Sequence, residues 1–550
     1  MGAMRASGSG SRLKVAGLKE EIVKKHLSIY IEVVILSGVL SIPVRVIAQS
    51  DRKTAFQPHH YQIVDLGSTF GGPQSYFVPG SGFQFSGSSV LNRDGIVAGF
   101  ADTSVSDPFP SFCFNEFMAD SQNCLFVSHA FQAGSGGVLT DLGALPGGGS
   151  SAPMWITSNE LIAGFSENGQ TDPLYAGLPQ LRAVLWQQGN ISDLGTLEGG
   201  YQSEANAVNN SGQVVGVALN AVPDVNSMEV GLFEFWGGDG GIAPPYQYQT
   251  RAFLWDREKG MQDLGTLPGG TDAEALLINE PGQVAGESYT ASTQSGACFP
   301  LATSAFIWEK GKGMTDLGGF GGTCTGVAAL NNHGQVVGES FRSGDMAAPA
   351  FLWENGSIHE LGGSLGGDFT GAFAINEQGK TVGFGYLSGN EIFHATLWKN
   401  RKQITDLGVV GGDPCSYAAA INAKMQVVGS SIANCDDEFR AFLWENGSIY
   451  DLNSLIPPAS TLYLQLTYSI NDRGEIAGTG VDATGNEHAF LLIPCDENHP
   501  SIEGCDYSLV DTTPAIFVPS GLRPASGDTP YPMRSRRNNR LRFPAFGHGN

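Results

Sequence analysis

The sequence predicts an all-β fold: a closed β-propeller of about eight four-stranded blades, its ring closed by the N- and C-terminal strands. Three observations lead there: a glycine-rich, charge-poor composition, a phrase that recurs about every 45 residues, and a repeat unit split between the two ends of the array. Glycine supplies 75 of 550 residues, and charged residues fall to 15%, against usual shares of about 7% and about 25%. Such a chain has many turns and is no coiled coil. Acids outnumber bases 54 to 30 while 41% of residues are apolar, which excludes a disordered polyelectrolyte and a basic nucleic-acid binder.

The clearest copy of the phrase runs Ala252-Phe253-Leu254-Trp255, Asp263-Leu264-Gly265, Gly269-Gly270, then Ile278-Asn279-Glu280-Pro281-Gly282-Gln283-Val284-Ala285-Gly286. Its Asp-Leu-Gly element starts at Asp65, Asp141, Asp193, Asp263, Asp316, Glu360, Asp406 and Asp451, and the last three steps set a bare unit of about 45 residues. Within a unit, Phe351-Leu352-Trp353 meets the turn Glu354-Asn355-Gly356 and a second alternating run ends at Leu361. Asn-Gly between alternating apolar runs signals a hairpin. A double glycine permits a turn, and Gly371 to Ile375 and Thr381-Val382 make two more short runs around Asn376-Glu377-Gln378-Gly379. Four strands per unit of this length is the signature of a propeller blade.

The ends of the array favour a ring over an open stack. Tyr61 to Gly67 opens with a second strand and lacks its Ala-Phe-Leu-Trp partner, whereas His488-Ala489-Phe490-Leu491-Leu492 ends the array as an orphan. Together they complete one unit and remove exposed edges. The count is eight, or seven if one of the diverged first two units, the second with Thr157 and Glu160 in place of Asn and Gly, is no blade.

The phrases Ala252-Phe253-Leu254-Trp255, Asp193-Leu194-Gly195-Thr196-Leu197 and Leu330-Asn331-Asn332-His333-Gly334-Gln335-Val336-Val337-Gly338, with the literal His-Ala-Phe at 129 to 131 and 488 to 490, resemble the HAF family of bacterial extracellular repeat proteins. The resemblance covers about 430 residues. It implies export and a repeat architecture, and it brings no activity with it. The WD40 Trp-Asp pattern is absent, and the rest of the pattern does not follow kelch.

Residues 1–48 read as a signal peptide: Lys14, Lys19, Lys24 and Lys25 precede an apolar run from Val33 to Val44, with a cut near Ala48. The run is shorter than the roughly 17 to 25 residues of a membrane span, so no stable span is expected and the mature chain is secreted, periplasmic or held in the cell envelope. Residues 49–60 form a linker, 61–495 the propeller, 496–510 a disulfide-clipped extension and 511–550 a flexible Arg/Pro-rich tail. Losing the seven bases and three acids of residues 1–48 takes the formal charge from −24 to −28, and the tail carries six Arg against two Asp. Cys113 with Cys124, Cys298 with Cys324, Cys415 with Cys435 and Cys495 with Cys505 are neighbours in sequence, and an even number in an exported chain suggests disulfides. Metal binding is the competing reading, but no CxxC occurs. Connectivity stays open, with nearest-neighbour pairing the expectation.

Residues repeated once per unit read as structural. Trp186, Trp255, Trp308, Trp353, Trp398 and Trp444 share one packing position, the Asp of Asp-Leu-Gly suits acceptance of turn amides, and Asn279 and its counterparts suit tight turns. A ring of eight such carboxylates holding a cation is the minor alternative. His129, His394 and His488 share a rim position with Arg182, Arg251 and Arg440. Function is expected where the repeat is broken, in insertions from Phe100 to Val127, Ser166 to Gln180 and Ala218 to Thr250, all placed between the last strand of one unit and the first of the next. The ligand-contact candidates are Phe109, Phe112, Phe114 and Phe117 in the first insertion and Phe233, Phe235, Trp236, Tyr246 and Tyr248 in the third, because aromatic rings beside polar groups grip sugars or apolar partners; burial in a small satellite core is the alternative.

There is no Walker loop, HExxH, nucleophile elbow or EF-hand spacing, so no catalytic residue, metal or cofactor is assigned. The reading is an exported, non-catalytic binding or scaffold module for an extracellular glycan or protein, monomeric, with no nucleic-acid partner. The alternative is a propeller enzyme of glycoside hydrolase or polysaccharide lyase type that uses carboxylates around its channel.

Overall fold

The protein is described from a computed structural model, which describes residues 59–67, 70–77, 89–108, 125–174, 179–224, 248–290, 302–435, 438–500, 502 and 505. Among these, thirty-two β-strands and one 3-10 turn, Leu452–Ser454, are present. No helix among the described residues is long and apolar enough to cross a membrane. The proposed leader and the tail from 511 onward lie outside the described residues.

The strands form antiparallel meanders of four. Six stand as separate four-stranded sheets, and two more are joined into an eight-stranded sheet by the single parallel pair Thr303↔Cys324. Taken as eight units, they span 71–141, 151–193, 203–263, 273–316, 321–360, 366–408, 415–451, and 463–494 completed by Tyr61–Asp65. Unit 5 shows why the local sequence folds this way. Asn355 and Gly356 take φ of 52° and 77°, the left-handed pair that a two-residue hairpin needs, and Glu354 faces Ser357 across the turn. Asn331 Oδ1 accepts the amide of Gln335 at 3.0 Å and so closes the turn between the first two strands.

One sequence expectation is corrected by phase. Each sheet starts two strands later than the repeat phrase suggests, so that Ala-Phe-Leu-Trp is a third strand: Val336 pairs with Trp353 and Phe351 with Glu360. The three long insertions therefore lie inside units, between second and third strands, and not between units. Hairpin hydrogen bonding sets this phase, whereas repetition alone reads equally well from any starting strand.

The expected pairing of the two ends of the array is present. Tyr61–Asp65 pairs antiparallel with Glu487–Pro494, with Tyr61 opposite Pro494, Ile63 opposite Leu492 and Asp65 opposite Phe490. A second series of bonds joins unit to unit through the turn asparagines. Asn209 Nδ2 donates to the carbonyl of Asn279 at 3.2 Å, Asn279 to Asn331 at 3.1 Å, Asn331 to Asn376 at 3.2 Å, Asn376 to Asn422 at 3.0 Å, and Asn422 to Asn471 at 3.0 Å. Asn471 then donates to Asn92 at 3.0 Å and Asn92 to Thr157 at 3.2 Å. Where Thr157 replaces Asn, the Asn159 amide donates to Asn210 Oδ1 at 3.1 Å, and the series returns to its start. The sequence reading assigned these asparagines to their own turns; they also bind each unit to the next.

Apolar cores fill the spaces between successive units, with third-strand Phe131, Phe253, Phe306, Phe351, Phe442 and Phe490 fully buried. Trp186, Trp398 and Trp444 are buried and Trp255, Trp308 and Trp353 pack at core edges, as expected of a packing position. Cys415–Cys435 and Cys495–Cys505 are bonded as nearest neighbours. Cys324 is also disulfide-bonded, while Cys113, Cys124 and Cys298 lie outside the described residues.

A second-strand glycine lets these sheets pack. A Cβ on Gly429 would stand 2.0 Å from the Tyr417 carbonyl oxygen and 2.7 Å from Phe442 Cζ, an overlap with backbone that no rotamer change relieves. Gly429→Ala is expected to destabilise the fold by at least about 2 kcal/mol, read as a lowered midpoint in urea unfolding; an unchanged midpoint would show that the sheets are not held this close.

Candidate functional site

At one edge of every sheet the second-to-third-strand connections lie beside the ends of the fourth strands, and the repeat acids are locked there. Asp65, Asp141, Asp193, Asp263, Asp316 and Asp406 each accept the amide two residues on, at 2.7 to 2.8 Å. The same carboxylates hold the first residues of third strands: His129 to Asp141 at 3.0 Å, Arg251 to Asp263 at 3.0 Å, His394 to Asp406 at 3.0 Å and His488 to Asp65 at 2.9 Å. In unit 5, Glu360 instead takes Arg342 at 2.7 Å. Burial opposes ionisation of Asp141 and Asp406, yet hydrogen bonds from His129 and His394 and from the Gly143 and Gly408 amides outweigh it and hold both carboxyls below their ordinary range. The Asp65 hydrogen bond likewise raises His488 against its own burial. Among the described residues, no cluster of three or more His, Cys, Asp or Glu is arranged for a metal ion.

Long connections leave this edge in four consecutive units: between Ser106 and Phe126, Thr171 and Pro179, Pro223 and Tyr248, and Tyr289 and Thr303. In units 6 to 8 the same connection needs only a short turn, as between Leu387 and Phe393 or Val481 and Glu487. Buried acids stand at the roots of the first two. Asp102 accepts Ser128 Oγ at 2.9 Å, and burial outweighs that bond and pushes its carboxyl up to about 7. Glu167 takes the amides of Gly149 and Ser150 at 3.1 Å and is raised by burial and then, past the Ser150 bond, by the charge of Asp107.

Of the aromatic candidates, Phe109, Phe112, Phe114, Phe117, Phe233, Phe235, Trp236 and Tyr246 lie outside the described residues. Tyr248 opens the third strand of unit 3 opposite Pro223 and packs, half-buried, against the core that contains Phe100, Phe165 and Leu219.

Two features were missed in the sequence. Trp155, on the first strand of unit 2, reaches the cores between units 2 and 3, 3 and 4, and 4 and 5. A layer of carboxyls also crosses units 3 to 5. Glu204 and Glu274 lie buried on first strands, Glu274 pairs in register with buried Glu287, and the partly buried Glu339 repeats the Glu287 position in the next unit. Glu287 Oε1 accepts the Val327 amide from unit 5 at 3.0 Å. Burial raises Glu287 to about 8, with the neighbouring Glu339 adding to it, and burial raises Glu339 to about 7. A signal was available: units 1, 2, 3, 6, 7 and 8 carry Phe100, Phe165, Val217, Phe384, Ser430 and Thr479 at this position, so the two glutamates break an otherwise uncharged column.

No family model matches the chain, and no curated protein matches it. Solved structures similar to it include the β-propeller domain of the Trilobed protease from Pyrococcus furiosus, at 11% identity and a TM-score of 0.34, covering 62% of this chain and 93% of that one. The Pyrococcus horikoshii acylaminoacyl peptidase is similar at 9% identity and a TM-score of 0.38, covering 72% of this chain and 58% of its own. TolB from Acinetobacter baumannii is similar at 10% identity and a TM-score of 0.27, covering 72% and 79%.

The raised carboxyl of Glu287 has a measurable consequence. The folded chain holds its proton up to about pH 8, whereas an unfolded glutamate releases it near 4.5, so this contribution to stability is complete below about 4.5 and is lost as pH rises toward 8. Glu287→Gln keeps an acceptor for Val327 and cannot ionise. Thermal unfolding is expected to show it close to the parent at pH 5 and a few degrees more stable at pH 8; parallel pH profiles would disprove the buried charge.

Proposed function

We propose that the eight units close into an eight-bladed propeller and that the chain is an exported, non-catalytic binding module for an extracellular glycan or protein. The observation that carries this reading is the position of the long connections of units 1 to 4: each joins the second and third strands of its unit, the units are consecutive, and so all four leave the same face side by side. Such grouping of non-repeated segments on a regular scaffold is where binding surfaces are commonly built. The repeated acids and bases of that face are engaged in turns and ion pairs, which fits a supporting rim. The bonded cysteines fit an oxidising compartment, in keeping with cleavage of a leader near Ala48 and a secreted, periplasmic or envelope location.

The enzyme reading keeps one observation in its favour. Glu287 and Glu339, near 8 and 7, would hold protons at neutral pH as a general acid does, though the bond from Val327 gives Glu287 a structural task. Hydrolysis or elimination of a polysaccharide that disappears in Glu287→Gln and Glu339→Gln would establish it.

The binding reading is tested with residues 49–510 on a glycan array and in capture of the partner so identified. Joint replacement of Phe233, Phe235 and Trp236 by Ala is expected to weaken capture at least tenfold while thermal unfolding stays unchanged. Full capture by that variant would remove the third connection from the binding surface.

A further inference from the structure

On the opposite edge of the sheets, where the tight turns lie, a cavity of about 960 Å³ opens between units 6, 7 and 8. Its walls include Lys399 at the end of a third strand, the unit 7 turn residues Lys424 and Gln426, Trp444 and Glu445 at the end of the next third strand, and Asp496 just past the closing strand. It is far in topology from the long connections and shares none of their residues.

Glu445 makes this cavity more than a crevice. It is 5% exposed, its Oε2 accepts Gln426 Nε2 at 3.0 Å, and its enclosed Oε1 has no hydrogen-bond partner. The repeat provides internal controls. Glu309 and Glu354 occupy the same position in units 4 and 5, and both of their oxygens are engaged: Glu309 by Gln283 at 2.8 Å and by Lys312, Glu354 by Gln335 at 2.8 Å and by Arg401 at 3.8 Å. Of these three, only the unit 7 glutamate lines the hollow and leaves an oxygen without a partner, and a buried acceptor left unpaired is costly. Burial accordingly raises the Glu445 carboxyl, against the Gln426 bond and the charges of His59 and Lys424.

The charges in the walls select the ligand. A cationic ligand would satisfy Glu445 but meet His59, Lys399, Lys424 and Arg473, while an anionic one would meet Asp406, Glu445, Asp496 and Glu497 within a chain of net charge −24. A hydroxyl group suits both signs, since it donates to a carboxylate and accepts from an ammonium. Trp444 and Pro494 add an apolar wall of the kind that sugar rings pack against. We infer that this hollow is a binding site for an uncharged polyhydroxylated ligand, a hexose-type sugar unit, with one hydroxyl donating to the Glu445 carboxylate and accepting from Lys424.

The test is isothermal titration of the full chain with maltotetraose, cellotetraose and mannotetraose, and with putrescine and glucuronate as charged comparisons. At least one neutral tetrasaccharide is expected to bind. Glu445→Gln, which can keep the Gln426 bond but loses the charge-assisted acceptor, is expected to weaken binding tenfold or more, and Glu354→Gln to leave it unchanged. Thermal unfolding of each variant confirms that it is folded, and Lys424→Ala supplies a second probe of the same pocket, expected to weaken binding as well. Absence of binding by all three sugars, preference for putrescine or glucuronate, or equal binding by Glu445→Gln would overturn the proposal. The triple aromatic variant of the opposite face is expected to retain this binding, so failure here and failure of the loop surface are separately readable.

Discussion

The pairing of Tyr61–Asp65 with Glu487–Pro494 is the constraint on which the rest of the structure depends. Without it the last sheet would end in an open edge at Pro494, a template for association with another chain, and the first unit would have no neighbour on one side. The asparagine series shows that closure reaches past this one sheet. Asn471 donates to the Asn92 carbonyl across 379 residues of sequence, by the same bond that elsewhere joins units 45 to 70 residues apart. Each of these amides is buried and would be costly to leave unpaired, so closing the series satisfies every turn at once.

An array of similar units gives a clear criterion for what is scaffold and what is not. Positions filled alike in most units, such as the buried third-strand phenylalanines and the aspartates that accept amides two residues on, hold the array together. Departures stand out against them. The long connections of units 1 to 4, Trp155 reaching three cores, the glutamates at 287 and 339 in an uncharged column, and Glu445 with one oxygen unsatisfied are local exceptions. Their distribution is uneven: the long second-to-third-strand connections belong to the first four units, while the cavity opens between the last three, next to the pairing of the end strands. His59, just before the closing strand Tyr61–Asp65, and Pro494 and Asp496 to Asn498, just after its partner, line that cavity.

The two faces also differ in electrostatics. On the face of the long connections, His and Arg residues neutralise the repeat acids pairwise, and the bonds are strong enough to shift Asp141 and Asp406 down and His488 up. The interior acids behave in the opposite way. Desolvation outweighs hydrogen bonding at Asp102 and Glu287 and acts alone at Glu339, raising them to about 7, 8 and 7, so each carries less than a full charge near neutrality. Identical side chains thus take opposite protonation behaviour from their depth in the sheet.

The sequence by itself determined the strands, their four-per-unit grouping, the hairpin turns and the split unit, because these depend on neighbours: alternation of apolar residues, Asn-Gly pairs and double glycines act within a few residues. It also identified Asp65 and its counterparts as acceptors of turn amides, a contact two residues long. The phase of the sheets was not legible, since a repeat read from Ala252 or from Ala273 has the same period, and only strand-to-strand hydrogen bonding chooses between them. The aromatic candidates were legible as departures from the repeat, but the partner of Asn471, the crossing of Glu287 to Val327 and the orphan oxygen of Glu445 were not. Those are decided by the tertiary structure, because a buried polar group's partner is set by which chain segment lies opposite it in space, and here that segment lies tens to hundreds of residues away.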